Sequence, residues 1–262
     1  MGERLKPYWR DEKHGLVPPE ADRYFLSYGG GVNSTALLAL LHESGLWDEH
    51  WEAVFCDTGA EYPQVLAYVE AIRERYPVTI IKADIEGKGG LYEYCLHYRI
   101  LPSRWQRWCT SKAKVTPLRA HVNAHSEGDA IEVIGYDAGE ARRADRWQTQ
   151  RPAWFPLIEA DINREACKEI ITSAGLPMPN KSGCFICPFA RPEEYRRMSQ
   201  EQPELFAKAV ALEEACMQRC RENGRPVYTL LDCGPLTSIA AQGRLWEPAD
   251  LAPPKQEAMA LD

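Results

Sequence analysis

The feature that most constrains this chain is a run of three glycines set between an apolar, strand-like stretch and an apolar, helix-like one. Tyr24-Phe25-Leu26-Ser27 is short and reads as a buried strand, Gly29-Gly30-Gly31 follows Tyr28, and Ala36, Leu37, Leu40 and Leu41 then recur at helical spacing, with Asn33 the expected N-cap. A strand that enters a helix through glycines brings backbone N–H groups to a helix N-terminus. Glycine permits positive φ and close approach there, and the macrodipole adds about half a positive charge. Such a turn can cradle an anion, with the Ser34 and Thr35 hydroxyls as further donors. The same glycines also suit a tight strand-to-helix turn that binds nothing. The turn lacks both the Gly-Lys-Ser/Thr ending of a Walker loop and the G-x-G-x-x-G spacing of a dinucleotide fold.

Downstream, the pattern alternates. A second strand is expected at Trp51–Cys56, stopped by Asp57-Thr58-Gly59, and a helix from Pro63 carries Val65, Leu66, Val69 and Ile72 on one face. Val78–Lys82 reads as a third strand, Lys112–Asn123 as a helix and Ala130–Gly135 as a fourth strand. Strand and helix in alternation imply a parallel sheet with right-handed crossovers, an α/β doubly wound architecture. After Phe155-Pro156-Leu157-Ile158 the character changes: Asn163 caps a helix through Ser173, a Pro/Gly/Cys-rich stretch runs over 175–188, and polar helices fill 192–222. The expected organisation is an N-terminal arm at 1–20, an α/β domain at 21–158 and a helical, cysteine-containing extension at 159–262.

Composition narrows the partners. A net charge of −7 disfavours a broad nucleic-acid footprint, which needs a basic face. Two basic clusters remain, Arg99, Arg104, Arg107, Lys112 and Lys114 in one and Arg142, Arg143, Arg146 and Arg151 in the other; each is either a phosphate-lining group or a solvated face. Trp105 and Trp108, beside the first cluster, either stack a base or cover a sheet edge. No apolar run approaches the roughly 20 residues of a membrane span, and Met1–Lys6 is too polar for a secretory signal. The expectation is a cytoplasmic protein without a membrane partner. Nine cysteines in such a chain argue against a disulfide framework.

Four segments, in order, carry a family resemblance. Ser27-Tyr28-Gly29-Gly30-Gly31-Val32-Asn33-Ser34-Thr35 resembles the SGGxDS pyrophosphate loop of the adenine nucleotide α-hydrolase (PP-loop) superfamily, with Gly29 at the usual Ser, Val32 at the usual Lys and Asn33 at the usual Asp. Phe55–Pro63, Arg107–Leu118 and Gly135–Arg143 are similar to the second-strand ending, the Arg-x-Cys…Lys-Val-x-Pro-Leu segment and the Gly-x-x-x-x-Glu-Ser-x-Arg motif of its phosphoadenylyl sulfate (PAPS) reductase-like branch. The resemblance implies a Rossmann-like (HUP-type) sheet that binds ATP or a related adenine nucleotide, with Mg²⁺ bridging phosphate oxygens. It implies nucleotide contacts from Ser27, Gly29, Gly30, Gly31, Asn33, Ser34, Thr35, Asp57, Gly135, Glu140 and Arg143, with Asp57 and Arg143 in catalytic roles. Read alone, Asp57 is either a metal or ribose ligand or a turn-forming Asx residue, and Glu140 with Arg143 is either part of an anion clamp or a helical i, i+3 ion pair.

Gly183-Cys184-Phe185-Ile186-Cys187-Pro188 is a C-x-x-C turn that suits an iron–sulfur cluster, structural zinc or a redox dithiol. The resemblance adds Cys109 as a third ligand of a 4Fe-4S cluster and leaves Cys233 as the candidate fourth. Cys216 and Cys220, at i, i+4, can bind metal or pack; Cys56, Cys95 and Cys167 fall within apolar patterns and read as core.

The resemblance therefore implies adenylation at the α-phosphate with release of pyrophosphate, coupled to sulfur transfer or redox chemistry. The acceptor would be a nucleic acid or a small metabolite, and a sulfur donor protein a partner. A sulfonucleotide reductase is the second reading. The Glu-Cys-Gly-Ile-His-Gly tail expected of it is not found at Glu257–Asp262, and Asp232-Cys233-Gly234-Pro235 is only a faint echo. A non-catalytic nucleotide-binding module with structural zinc is the third.

Overall fold

The computed structural model describes residues 15–145 and 151–241, so most of the expected arm, Arg146 and the last residues of the extension lie outside the described residues. Five strands form one all-parallel sheet in the order β3-β2-β1-β4-β5, with β1 at Arg23–Ser27, β2 at Trp51–Asp57, β3 at Val78–Lys82, β4 at Ala130–Val133 and β5 at Ala153–Trp154. The chain winds outward from β1 through β2 to β3, then returns to the other side of β1 for β4 and β5. The reversal leaves a crevice between the carboxyl ends of β1 and β4, where sheets of this kind take ligands.

Helix α1 (Val32–Glu43) is apolar on every side, and its residues 32–41 are all buried. A helix of that kind needs cover all round. The sheet and α2 (Pro63–Arg73) supply part of it, and α8 (Arg164–Ser173) packs on it through Cys167, Ile170 and Ile171. The core of the sheet domain therefore runs past residue 158 and includes a helix expected in the extension. Asn163 caps α8 as expected, accepting from the Ala166 amide at 3.0 Å.

Helices α3 (Leu91–Tyr98), α4 (Trp108–Thr110) and α5 (Thr116–His125) follow β3, with a π turn at Ser111–Val115 joining the last two. Leu118 and Val122 of α5 cover the opposite face of the sheet, against Phe25, Val54, Cys56 and Ala130. Short helices α6 (Ala141–Ala144) and α7 (Pro156–Glu159) flank β5. The extension adds α9 (Pro192–Glu201), α10 (Pro203–Glu222) and α11 (Leu236–Ala241), the first two filling the expected polar helical stretch, with Pro203 opening the second. These helices share a separate core with α3, built on Tyr94, Leu101, Tyr195, Met198, Leu212, Cys216 and Leu231. Among the described residues no helix is long and apolar enough to cross a membrane.

Candidate functional site

The glycine turn closes one end of a cleft of about 780 Å³ at the switch point. Helix α1 begins at Val32, so Gly31 is the N-cap and Asn33 lies inside the first turn rather than capping it. The capping work falls to Ser34 at the third helical position. Its Oγ accepts from the Gly29 and Gly31 amides at 3.2 and 3.3 Å and donates to the Gly31 carbonyl at 3.2 Å. Three glycines are needed for three different reasons. Gly30 turns the chain at φ 63°, and a Cβ there would meet Val69 at 3.1 Å; a Cβ on Gly31 would meet Ser182 Oγ at 2.9 Å; and one on Gly135 would meet the Ser34 Cα and N at 3.1 and 3.2 Å. The end of β4 thus sits directly against the first turn of α1.

Among the described residues six cations line the cleft, Arg107, Lys114, Arg143, Arg164, Lys168 and Lys181, against two carboxylates, Glu132 and Glu140. The site is therefore electropositive in a chain whose net charge is −7, and its complement is an anion. The lining also includes apolar Val54, Val115, Leu118 and Ile134. Burial raises the Glu132 carboxyl above the usual range, opposed by Arg119 and Arg151. Burial opposes the charge on Lys114, yet Cys184, Glu61 and Cys56 raise its ammonium above the ordinary lysine range; its Nζ lies 3.6 Å from Glu61 Oε1.

Ser27, Gly29, Gly31, Asn33, Ser34, Gly135, Glu140 and Arg143 all line this cleft. Arg143 pairs with Glu140, so the i, i+3 ion pair is present, and its guanidinium also lies 4.2 Å from the Tyr136 ring centre. Three expected contacts fall elsewhere, and one of them, Gly30, is buried and not part of the cleft lining. Thr35 is fully buried with its hydroxyl 3.1 Å from Tyr28 Oη, because it faces the core side of α1. Asp57 accepts from the Gly59 amide at 2.9 Å as an Asx turn and is not part of the cleft lining. Of the first basic cluster only Arg107 and Lys114 reach the cleft; Arg99, Arg104 and Lys112 pair with Glu222, Asp232 and Glu86. Of the second, Arg143 does, while Arg151 lines a different cavity with Arg119. Trp108 packs against the extension core, and Trp105 is 93% exposed.

Sequence reasoning missed Arg164, Lys168 and Lys181. The i, i+4 spacing of the first two, on the polar face of an amphipathic helix, was the available signal. Lys181 belongs to a segment that reaches the loop only through folding: Ser182 sits over Gly31, and Phe185 N donates to the Ala60 carbonyl at 2.9 Å.

Three of the four expected ligand cysteines share one cluster. Cys109, Cys184 and Cys187 pack against the core of the extension, and Cys233 is exposed outside that cluster. Burial pushes the Cys184 thiol up to about 12 and raises Cys109 as well. Among the described residues no three His, Cys, Asp or Glu side chains converge as a metal site. Cys216 and Cys220 are buried, as are Cys56, Cys95 and Cys167.

Two uncharacterized proteins of Methanocaldococcus jannaschii are 25% and 24% identical to this chain over 199 and 202 residues, in each case 70% of it. The matches cover 40% and 46% of those relatives, so the chain spans less than half of their length. A phosphoadenylyl-sulfate reductase from Candida auris, solved as a phosphate complex, superposes with a TM-score of 0.44 at 14% identity, over 62% of this chain and 81% of that one. The phosphoadenosine phosphosulfate reductase domain matches residues 23–159, which hold the sheet, the glycine loop and most of the cleft, and the chain accordingly belongs to that family within the PP-loop superfamily.

Proposed function

We propose that this chain is an enzyme that binds an adenine nucleotide in the switch-point cleft and catalyses attack of an acceptor oxygen on its α-phosphorus, which forms the new P–O bond as pyrophosphate leaves. The observation that carries the proposal is the make-up of the cleft lining. The lining combines the Gly29–Ser34 loop at the α1 N-terminus and six cations with apolar residues that include Val54, Leu118 and Ile134. Amides and cations that are already in place where negative charge develops on a leaving group lower the barrier, because they need no reorganisation. Arg143, which pairs with Glu140 and lies over the Tyr136 ring, supports this reading as a guanidinium that would grip phosphate oxygens.

Mg²⁺ would enter on the phosphates themselves, since the two carboxylates nearest the loop are engaged: Asp137 and Glu140 each accept from Asn33. When bound it would neutralise charge on the leaving pyrophosphate. No step is routed through the cysteines.

The test is calorimetric binding of ATP and of PAPS to the whole chain, followed by assays for pyrophosphate from the first and sulfite from the second. ATP binding with pyrophosphate release is the expected result. Sulfite from PAPS without pyrophosphate from ATP would replace the proposal with the reductase reading, and failure of both nucleotides to bind at millimolar concentration would remove it. Loss of one charge-assisted contact in Arg143→Ala should weaken binding about ten- to a hundredfold.

A further inference from the structure

Asn33 stands where related loops carry Asp, and the structure gives that exchange a use. The side chain is buried at 8% exposure. Its Nδ2 donates to Asp137 Oδ2 at 2.8 Å and to Glu140 Oε2 at 3.0 Å, and its Oδ1 accepts from the Arg164 guanidinium at 3.3 Å. Both amide hydrogens and the carbonyl are thus committed, which matches the donor and acceptor inventory of asparagine. One amide ties α1 to the segment after β4 and to α8.

The two carboxylates it holds are themselves anchors. Asp137 is 5% exposed, and its Oδ1 accepts from the Gly139 amide at 2.9 Å, which starts the turn that leads into α6. The Oε1 of Glu140 takes the Arg143 guanidinium. The path therefore runs Asn33 to Glu140 to Arg143, and it ends on a cation of the cleft.

We infer that Asn33 is a positioning residue that sets Arg143 against the nucleotide, and that this chain's loop requires an amide rather than a carboxylate at position 33. An aspartate there has the same shape but no hydrogen to donate. It would also place a third negative charge about 3 Å from two others, and like charges that close cannot all stay ionised and packed. The inference rests on the proposed nucleotide site for its functional half, while the clamp itself can be read without any nucleotide.

The test compares Asn33→Asp, the exchanged pair Asn33→Asp/Asp137→Asn, and Arg143→Ala. Hydrogen exchange of the 136–144 segment reads the clamp, and calorimetry with ATP and PAPS reads the site. Asn33→Asp should speed exchange in that segment about tenfold or more and weaken nucleotide binding by a similar factor, the scale of one lost hydrogen bond to a charged group. The exchanged pair returns a donor to position 137 and restores the total charge, so it should recover at least half of the exchange effect on a logarithmic scale. Arg143→Ala should weaken nucleotide binding and leave the protection of Gly139 intact. If Asn33→Asp does not fold, recovery of folding by the exchanged pair supports the inference, and failure to recover overturns it. Wild-type protection and affinity in Asn33→Asp would also overturn it. A wild-type chain that binds neither nucleotide, yet shows the exchange effect and its recovery, would refute the nucleotide reading and keep the clamp.

Discussion

Gly135→Ala tests whether the cleft depends on close contact between β4 and the first turn of α1. A Cβ at 135 would lie 3.1 Å from Ser34 Cα, 3.2 Å from Ser34 N and 3.4 Å from the Asn33 carbonyl carbon. All three neighbours are backbone, so no side chain can swing aside, and the strand end and helix must separate by a few tenths of an ångström. Overpacking of this kind costs about 1–3 kcal/mol. For a domain of this size each kcal/mol lowers Tm by about 2–4 °C, which sets the expected drop at about 2–12 °C. Ser34 lines the cleft, so under the proposed nucleotide site its displacement should lower nucleotide affinity further than stability alone would dictate. Losing one hydrogen bond to a charged phosphate weakens binding about tenfold or more. The assay is a thermal melt in parallel with calorimetric titration of ATP and PAPS. Gly183→Ala is the control, because a Cβ there meets nothing within 4 Å and its backbone is not left-handed. The reasoning fails if Gly135→Ala melts and binds like the wild type, or if Gly183→Ala is equally damaged.

Two further outcomes concern stability. His42 stacks on Trp47 at 4.3 Å and packs against Tyr76 at 4.6 Å, its Nε2 is buried without a hydrogen-bond partner, and burial lowers the imidazole to about 4 from its usual 6.5. A histidine whose folded pKa is depressed contributes stability above 6.5, lost as pH falls from 6.5 toward 4, because only the unfolded chain takes up the proton readily. Discounted for partial exposure, the loss is about 1–2 kcal/mol, and His42→Leu should flatten that part of a denaturant-stability profile taken from pH 7 to 4.5; an unchanged slope would remove His42 as its source. Glu213, 1% exposed, accepts from the Leu230 and Leu236 amides at 2.9 and 2.7 Å. Glu213→Ala leaves both amides unpaired at a cost of about 2–4 kcal/mol, which limited proteolysis should show as cleavage near 225–236 before the sheet domain is cut; simultaneous loss of both parts would contradict it.

Local pattern carried the framework of this protein. The strand, glycine turn and helix at 24–41, the alternation through 135 and the Asn163 cap are written in neighbouring residues, because apolar periodicity, glycine permissiveness and side-chain caps act over a few positions. Ser27, Gly29, Gly31, Ser34, Gly135, Glu140 and Arg143 were expected at the cleft because their segments resemble the family's nucleotide-binding motifs, and they line it. Folding decided what those positions do. Asn33 meets partners 104 and 107 residues away, Lys181 and Ser182 come over the loop from the extension, and α8 joins the sheet domain to cover the far side of α1. Thr35 and Asp57 belonged to the right segments but faced the core and a turn. The direction in which a side chain points, and which distant carboxylate it meets, depends on packing between elements that no local spacing encodes.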